Sequence, residues 1–262
     1  MLLALDIGNT AITIGVFDGN RLRARWSIAT DVENMVDEYA ILLLNLLQTE
    51  GLRREDVTEA ILASVVPSLT PVFHEVSRRY FSVTPLTVDL GVKTGVRIVY
   101  DSPRDVGADR VVDAVAASKL YGPPLIVVDF GTATVFDAIS KEGDYVGGAI
   151  APGIGISAQA LFERTAKLPR IELERPRTAI GKTTVGAMQS GLVFGYVGLV
   201  EGIIARMKEE LGAEAKVVAT GGWAPLIARE TSVIDVVNLD LTLVGLHMIF
   251  EANKGMGRVS SA

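Results

Sequence analysis

The amino-terminal end of the chain carries the first side chains that could do chemistry. Apolar residues 2–5 have the pattern of a buried strand, and Asp6 follows where such a strand reaches the edge of its sheet. Gly8 lets the backbone approach a ligand, and Asn9 and Thr10 can donate hydrogen bonds to phosphate oxygens. Asp6 would repel phosphate unless it orients a hydrated Mg²⁺ ion that bridges the two. Taken alone, the same residues also suit a plain turn between two strands.

This design occurs a second time in the chain. Apolar residues 125–128 lead into Asp129, and Gly131 and Thr132 follow it. Each copy then continues into a second apolar strand and a hairpin turn, so we interpret the chain as two duplicated halves, 1–115 and 116–262. Related halves that face each other leave a cleft, and such clefts are favoured ligand sites.

The composition excludes several classes of function. The 262 residues carry a net charge of -6 without a basic run, which argues against nucleic acid as the main partner. With no cysteine and only two histidines, a thiolate nucleophile or a Cys/His metal cluster is not expected. The apolar runs are too short for a membrane span, and no signal peptide is visible, so we expect a cytoplasmic protein without membrane partners.

Helical spacing of apolar residues predicts helices that alternate with apolar strands. The helices are predicted at 32–49, 69–81, 110–119, 184–211 and 239–251, and further strands at 60–67 and 217–222. One face of the predicted helix 184–211 consists of small residues and permits close packing, within the chain or between subunits. The tail from 253 to 262 is expected to fray.

Asp109 is the candidate for acid–base chemistry. Gly107 precedes the predicted helix, and Asp109 falls in its first turn, where the helix dipole favours the ionised carboxylate. An ionised carboxylate beside Arg110 is suited to accept a proton from a substrate hydroxyl. The alternative is that Asp109 only caps the helix.

A third glycine turn closes the strand at 217–220. Gly221 and Gly222 would allow a flat base or a ribose to lie against the backbone. A simple link from a strand to a helix is an equally good interpretation of these residues alone.

Together, these stretches resemble the phosphate-1, phosphate-2 and adenosine motifs of the acetate and sugar kinase, heat-shock chaperone and actin superfamily. The three stretches are Asp6-Ile7-Gly8-Asn9-Thr10, Asp129-Phe130-Gly131-Thr132 and Ala219-Thr220-Gly221-Gly222. Three further stretches narrow the resemblance to the type III pantothenate kinase family, which includes proteins named Bvg accessory factor. They are Gly107-Ala108-Asp109-Arg110, Gly147-Gly148 with Pro152-Gly153, and Gly181-Lys182-Thr183-Thr184 with Ala187-Met188-Gln189-Ser190-Gly191. The resemblance covers residues 2 to about 250.

The resemblance implies an α/β fold of duplicated ribonuclease-H-like (actin-like ATPase) halves, with mixed sheets flanked by helices and a central cleft. It implies ATP-dependent phosphorylation of pantothenate to 4'-phosphopantothenate in coenzyme A biosynthesis, by a homodimer that uses Mg²⁺ and a monovalent cation, K⁺ or NH₄⁺. Another small-molecule kinase or phosphatase of the superfamily, or a non-catalytic nucleotide-binding regulator, remains the alternative.

The resemblance also implies roles for individual residues. Asp109 matches the catalytic base, Asp129 the monovalent cation site, and Asp6 would hold Mg²⁺ through water. The remaining cofactor-binding residues are Ile7, Gly8, Asn9, Thr10, Gly131, Thr132, Gly221 and Gly222. The residues associated with pantothenate are Tyr100, Gly107, Ala108, Asp109, Arg110 and Thr184.

Overall fold

The computed structural model describes residues 1–89 and 91–254, which fold into two compact units. The first contains residues 1–95 and 102–116 and the chain from Leu241, and the second contains 96–101 and 117–240. The expected fraying of the tail concerns residues that, from 255 onward, lie outside the described part.

The first unit is built on a five-stranded mixed sheet. Three antiparallel strands begin it: β1 (Leu2–Ile7), β2 (Ala11–Asp18) and β3 (Arg21–Ala29). Two strands parallel to β1 complete it on the other side, β4 (Glu59–Ser64) and β5 (Leu86–Thr87). The order across the sheet is β3-β2-β1-β4-β5. Because β1 is central, it is buried along its length and becomes more open only at Asp6.

Helices α1 (Val36–Thr49) and α2 (Thr70–Phe81) pack on this sheet and on each other. The predicted start of α1 at residue 32 is wrong by four residues. Residues 31–34 form a turn in which the amide of Asn34 donates to the carbonyl of Asp31 at 3.3 Å. The Glu38 carboxylate accepts from the Met35 amide at 2.7 Å, which satisfies a donor at the true helix start.

The second unit repeats the first sheet. Its strands are β6 (Leu125–Phe130), β7 (Ala133–Ile139), β8 (Tyr145–Pro152), β9 (Lys216–Thr220) and β10 (Val236–Val237). Their order, β8-β7-β6-β9-β10, and their directions match those of β3-β2-β1-β4-β5. The interpretation of the chain as a duplicated α/β protein with two mixed sheets is therefore confirmed.

The helices of the second half differ from those of the first. Before β9, where the first half has only α1 and a short 3₁₀ turn, the chain forms α4 (Ile154–Glu163) and the long α5 (Thr184–Leu211). Helix α6 (Ala224–Ala228) is short. Among the described residues, α5 alone is long and apolar enough to cross a membrane. This is weak evidence for a membrane span, because core helices of globular proteins can have the same length and composition.

Helices α3 (Ala108–Tyr121) and α7 (Leu241–Asn253) follow the last strand of each sheet. Helix α7 packs on β1, β2 and β4 of the first sheet, where the His247 ring stacks on Phe17 at 4.6 Å between centroids. By contacts the chain from Leu241 thus belongs with the first unit, which differs from a division into 1–115 and 116–262. The apolar face that α7 buries, which includes Leu241, Leu243 and Leu246, explains this return.

Candidate active site

The first phosphate turn follows β1 and is closed by its own backbone. The Gly8 amide donates to the carbonyl of Ala11 at 3.1 Å, and a Cβ atom on Gly8 would lie only 2.9 Å from that oxygen. Asp6 is half-buried just before the turn, and Asn9 and Thr10 are exposed on it. The turn therefore presents two short polar side chains to solvent at the end of a rigid, buried strand, which is the arrangement expected for binding phosphate.

The second phosphate turn has the same closure. The Gly131 amide donates to the carbonyl of Ala133 at 3.1 Å, and Thr132 is exposed. Asp129, half-buried at the end of β6, occupies the place that Asp6 has in the first sheet.

The third glycine turn lies directly beside Asp129. Asp129 is paired in register with Thr220 of β9, and Gly221 follows with φ +87°. A Cβ atom on Gly221 would collide with Asp129 Oδ1 and with the backbone of Phe130, whereas one on Gly222 would meet nothing within 4 Å. Only glycine fits at Gly221, for reasons of both φ and space.

The residues present fit the cations that the sequence resemblance implies. Asp6 supplies a single carboxylate, and the described residues hold no group of three or more His, Cys, Asp or Glu side chains suited to a metal. One carboxylate suits Mg²⁺ that keeps most of its waters and is held mainly by substrate phosphates. The Asp129 carboxylate lies close to the backbone of Gly131 and Gly221, and its oxygen atoms are the type of ligand that a hard cation takes.

Asp109 lies at the second position of α3, after Gly107, whose carbonyl accepts the first helical bond from the Val111 amide at 3.2 Å. Its Oδ1 atom accepts a hydrogen bond from the Arg110 amide at 2.8 Å. A Cβ atom on Gly107 would collide with this oxygen, so a larger residue there would displace the Asp109 carboxylate. Asp109 does satisfy one amide of the first turn, and this contact is compatible with a catalytic role.

The electrostatics at Asp109 differ from the expectation that the helix start would favour its ionised form. Burial raises the pKa of the Asp109 carboxyl above the ordinary aspartate value, although the Arg110 amide and the Arg110 charge both act to lower it. Desolvation exceeds these favourable interactions because the carboxylate is withdrawn from water. A raised pKa makes Asp109 a stronger base, which suits proton abstraction.

Two further candidates, Tyr100 and Thr184, lie in the second unit. The Tyr100 ring is 39% exposed and lies over Gly147, where a Cβ atom would come within 3.7 Å of it. Thr184 is exposed as the first residue of α5, which the Thr183 hydroxyl caps by accepting from the Gly186 amide at 3.0 Å. Both side chains are accessible to a ligand.

Sequence reasoning did not single out Thr30, and it did not foresee that Thr30 and Gly153 hold the phosphate turns. Thr30 and Gly153 follow the third strand of the first and second sheets, and their amides donate to Thr10 and Thr132 at 3.0 and 3.1 Å. Alignment of the two halves on their strands would have placed both at equivalent positions. The strand β3 carried a signal that could have been used, because polar and apolar residues alternate along Arg21–Ala29 and exposed positions alternate with more buried ones.

Two such sheets, each with an acidic residue and a glycine turn after its first strand, define the actin-like class of duplicated α/β folds. Two solved structures share this fold. A Campylobacter jejuni protein assigned to the Baf transcriptional activators has 17% identity over 96% of this chain and 98% of its own, with a TM-score of 0.61. The 2-hydroxyisocaproyl-CoA dehydratase activator of Clostridium difficile, solved with bound ADPNP, has 14% identity over 100% and 98%, with a TM-score of 0.54. At these identities the likeness concerns the fold alone.

Within that class, the chain belongs to the type III pantothenate kinase family. The family's model matches residues 2–206. Two proteins named type III pantothenate kinase from Dehalococcoides mccartyi, strains BAV1 and CBDB1, are 54% and 53% identical over 253 residues. In both cases the similarity covers 97% of this chain and 96% of the relative.

Proposed function

We propose that this chain transfers the γ-phosphoryl group of ATP to pantothenate and forms 4'-phosphopantothenate, the first step of coenzyme A biosynthesis. The observation that carries the proposal is 54% identity to a named type III pantothenate kinase over nearly the full length of both chains. The paired phosphate turns and the half-buried base are the parts that this reaction requires.

The three glycine turns bind ATP in this proposal. Asn9 and Thr10 donate to phosphate oxygens from the first turn, Gly131 and Thr132 do so from the second, and Ile7 and Gly8 bring the backbone close. Gly221 and Gly222 form the adenosine contact, which the open space at Gly222 supports. Asp6 would hold Mg²⁺, and this ion, when bound, would offset the charge that develops on the transferred phosphoryl group.

The acceptor pantothenate is bound around Asp109 in this proposal. Asp109 accepts the proton of the primary hydroxyl, and Arg110 anchors and orients the acceptor together with Gly107 and Ala108. Tyr100 and Thr184 contribute further contacts from exposed positions. Because phosphoryl transfer passes through a loose transition state, Asp109 serves mainly to align the hydroxyl and to receive its proton late.

The proposal also covers the bound cation, the cellular location and the oligomeric state of the enzyme. Asp129 binds a monovalent cation, K⁺ or NH₄⁺, beside the phosphates. The protein is a cytoplasmic homodimer in which Thr184 serves the partner's site, and neither nucleic acid nor a membrane is a partner. The small-residue face of α5 supports the dimer, since several of its glycines face open space in the single chain.

A coupled assay of ADP release tests the reaction. We expect release with pantothenate and none above background with a panel of sugars and polyols. Release with a sugar instead would favour another kinase of the superfamily. Nucleotide binding without release for any acceptor would favour a regulator and overturn the proposal.

A further inference from the structure

Each phosphate turn is tied to the residue that follows the third strand of its own sheet. In the first unit, the Thr30 amide, directly after β3, donates to the carbonyl of Thr10 at 3.0 Å. In the second unit, the Gly153 amide, directly after β8, donates to the carbonyl of Thr132 at 3.1 Å. Because β3 and β8 hold equivalent places in the two sheets, the duplication has kept this contact.

A buried tyrosine fixes the backbone beside each of these amides. The Tyr39 hydroxyl, from α1, accepts from the Asp31 amide at 3.0 Å and donates to the Asp31 carbonyl at 2.7 Å. The Tyr196 hydroxyl, from α5, donates to the Pro152 carbonyl at 2.6 Å. Tyr39 and Tyr196 are 0% and 7% exposed, so both rings are enclosed by protein.

The direction of the bonds around Tyr196 follows from chemistry. A carbonyl can only accept, so the Tyr196 proton must point to Pro152. The Ser157 hydroxyl, 2.6 Å from the Tyr196 hydroxyl, must therefore donate to it. Ser157 of α4 thus orients Tyr196, and Tyr196 orients the end of β8.

The Pro152 carbonyl and the Gly153 amide belong to the same peptide group. The Tyr196 hydroxyl donates to the carbonyl of this group, and the amide of the same group donates to the Thr132 carbonyl in the phosphate turn. Gly153 packs tightly against the phosphate turn, because a Cβ atom on Gly153 would collide with the Thr132 oxygen and lie 2.7 Å from the Gly131 oxygen. Hydrogen bonds linked through one peptide group also polarise and strengthen each other.

The first turn receives a second bond from Thr30. The Thr30 hydroxyl donates to the Gly8 carbonyl at 2.6 Å, in addition to the bond from its amide. Gly153, at the equivalent position, has no side chain to do the same and donates to its turn through its amide.

We propose that Tyr39 and Tyr196 are positioning residues for the phosphates of ATP. Each hydroxyl fixes the strand end whose amide holds a phosphate turn, so the turn's own donors are already in place when the nucleotide arrives. Such preorganised donors bind without the cost of being ordered. This inference rests on the proposed function, since it requires the phosphates to bind at both turns.

The test uses Tyr196→Phe, which keeps the buried ring and removes only the hydroxyl. Calorimetry with a non-hydrolysable ATP analogue gives the affinity without turnover. We expect the Kd of the analogue and the KM for ATP to rise about 3- to 10-fold, the range expected for one lost hydrogen bond. The KM for pantothenate should change less than about twofold, because the loss concerns the nucleotide turn. Tyr39→Phe should give a smaller rise, since Thr30 keeps its second bond.

Tyr121→Phe is the matched control. It removes a partly buried hydroxyl that accepts from the Asn238 side-chain amide at 2.9 Å, a contact that includes no residue of either phosphate turn. It should bind the analogue as the parent does. Hydrogen exchange adds a readout that general destabilisation would not give: the amides of residues 131–133 should exchange faster in Tyr196→Phe and not in Tyr121→Phe.

Unchanged affinity for the analogue in Tyr196→Phe, or an equal loss in Tyr121→Phe, would overturn the inference. Should Tyr196→Phe not fold, Ser157→Ala decides by the same criteria, because its hydroxyl donates to Tyr196. A parent enzyme that binds the analogue but does not phosphorylate pantothenate would refute the proposed function and leave this inference standing.

Discussion

The Asp109 carboxylate packs against Gly107 and is partly withdrawn from water. Asp109→Asn keeps the size of the side chain and can still accept from the Arg110 amide, but it cannot accept the substrate proton. We expect kcat to fall about 10²- to 10⁴-fold, as for loss of a general base, while pantothenate and ATP still bind. Asp105→Asn, at an exposed position four residues earlier, is the control and should retain the parent's kcat. If Asp109→Asn kept more than about a tenth of kcat, the carboxylate would only stabilise the helix start.

The raised pKa of Asp109 gives the same residue opposite effects on activity and stability. The base works in its ionised form, so kcat/KM should fall as the pH drops through this pKa, at a pH above the ordinary aspartate range. The folded protein also binds this proton more tightly than the unfolded chain does. The stability that it contributes is therefore full below the unfolded pKa and lost as the pH rises through the folded pKa.

It follows that Asp109→Asn should unfold at a higher temperature than the parent at neutral pH, because it removes the cost of a buried charge. The difference should close in acid, below the ordinary pKa of aspartate. Thermal unfolding across this pH range measures it. A variant that is less stable than the parent at neutral pH would show that the carboxylate is well paired rather than desolvated.

At the scale of the elements, the turn at Gly221 joins the adenosine contact to the Asp129 carboxylate. Gly221→Ala meets both a positive φ and a collision with Asp129 Oδ1. It should lower the free energy of unfolding by about 1–3 kcal/mol. Gly222→Ala, with open space around its Cβ atom, should unfold close to the parent. Chemical denaturation of the two variants side by side checks this, and equal stabilities would contradict the role of Gly221.

Strong local patterns made most of the elements and the turns predictable. The strands that end at Asp6 and Asp129 are continuous apolar runs, and the prediction of α5 at 184–211 is confirmed residue for residue. The two-residue strands β5 and β10 carry no period that a sequence can reveal. The start of α1 was placed too early because Val32 continues the apolar spacing although its side chain is 56% exposed.

The parts of the site that could not be predicted depend on pairing across the chain. Thr30 reaches Gly8 and Thr10 only because β3 returns beside β2. Tyr196 reaches Pro152 over a separation of 44 residues. The raised pKa of Asp109 likewise depends on burial by packed elements, and sequence reasoning from the helix dipole alone gave the opposite direction.

For the whole molecule, the proposed cation at Asp129 predicts a dependence on salt. With the ionic strength held constant, activity in K⁺ or NH₄⁺ salts should exceed that in Na⁺ or choline salts, because a bound cation of the right size would neutralise charge beside the phosphates. Asp129→Asn should remove most of the difference between the salts. Equal rates in all four salts for the parent would refute the site.

The proposed dimer can be tested by whether a single substitution on α5 only stabilises the protein or weakens its association. Gly191, Gly195 and Gly198 are exposed in the chain, and a Cβ atom on any of them would meet nothing within 4 Å. On a helix that faces solvent, Gly195→Ala should stabilise the protein by up to about 1 kcal/mol, since alanine is the better helix former. If this face instead packs closely on its symmetry mate, the added methyl group must push two backbones apart, and association should weaken.

We therefore expect Gly195→Ala to raise the dissociation constant of a homodimer in sedimentation experiments. Because Thr184 begins the same helix and is proposed to serve the partner's site, activity per chain should fall with dilution, and more steeply in the variant. A parent that sediments as a fully active monomer, or a Gly195→Ala variant that is only more stable, would mean that the glycines of α5 serve no contact between subunits.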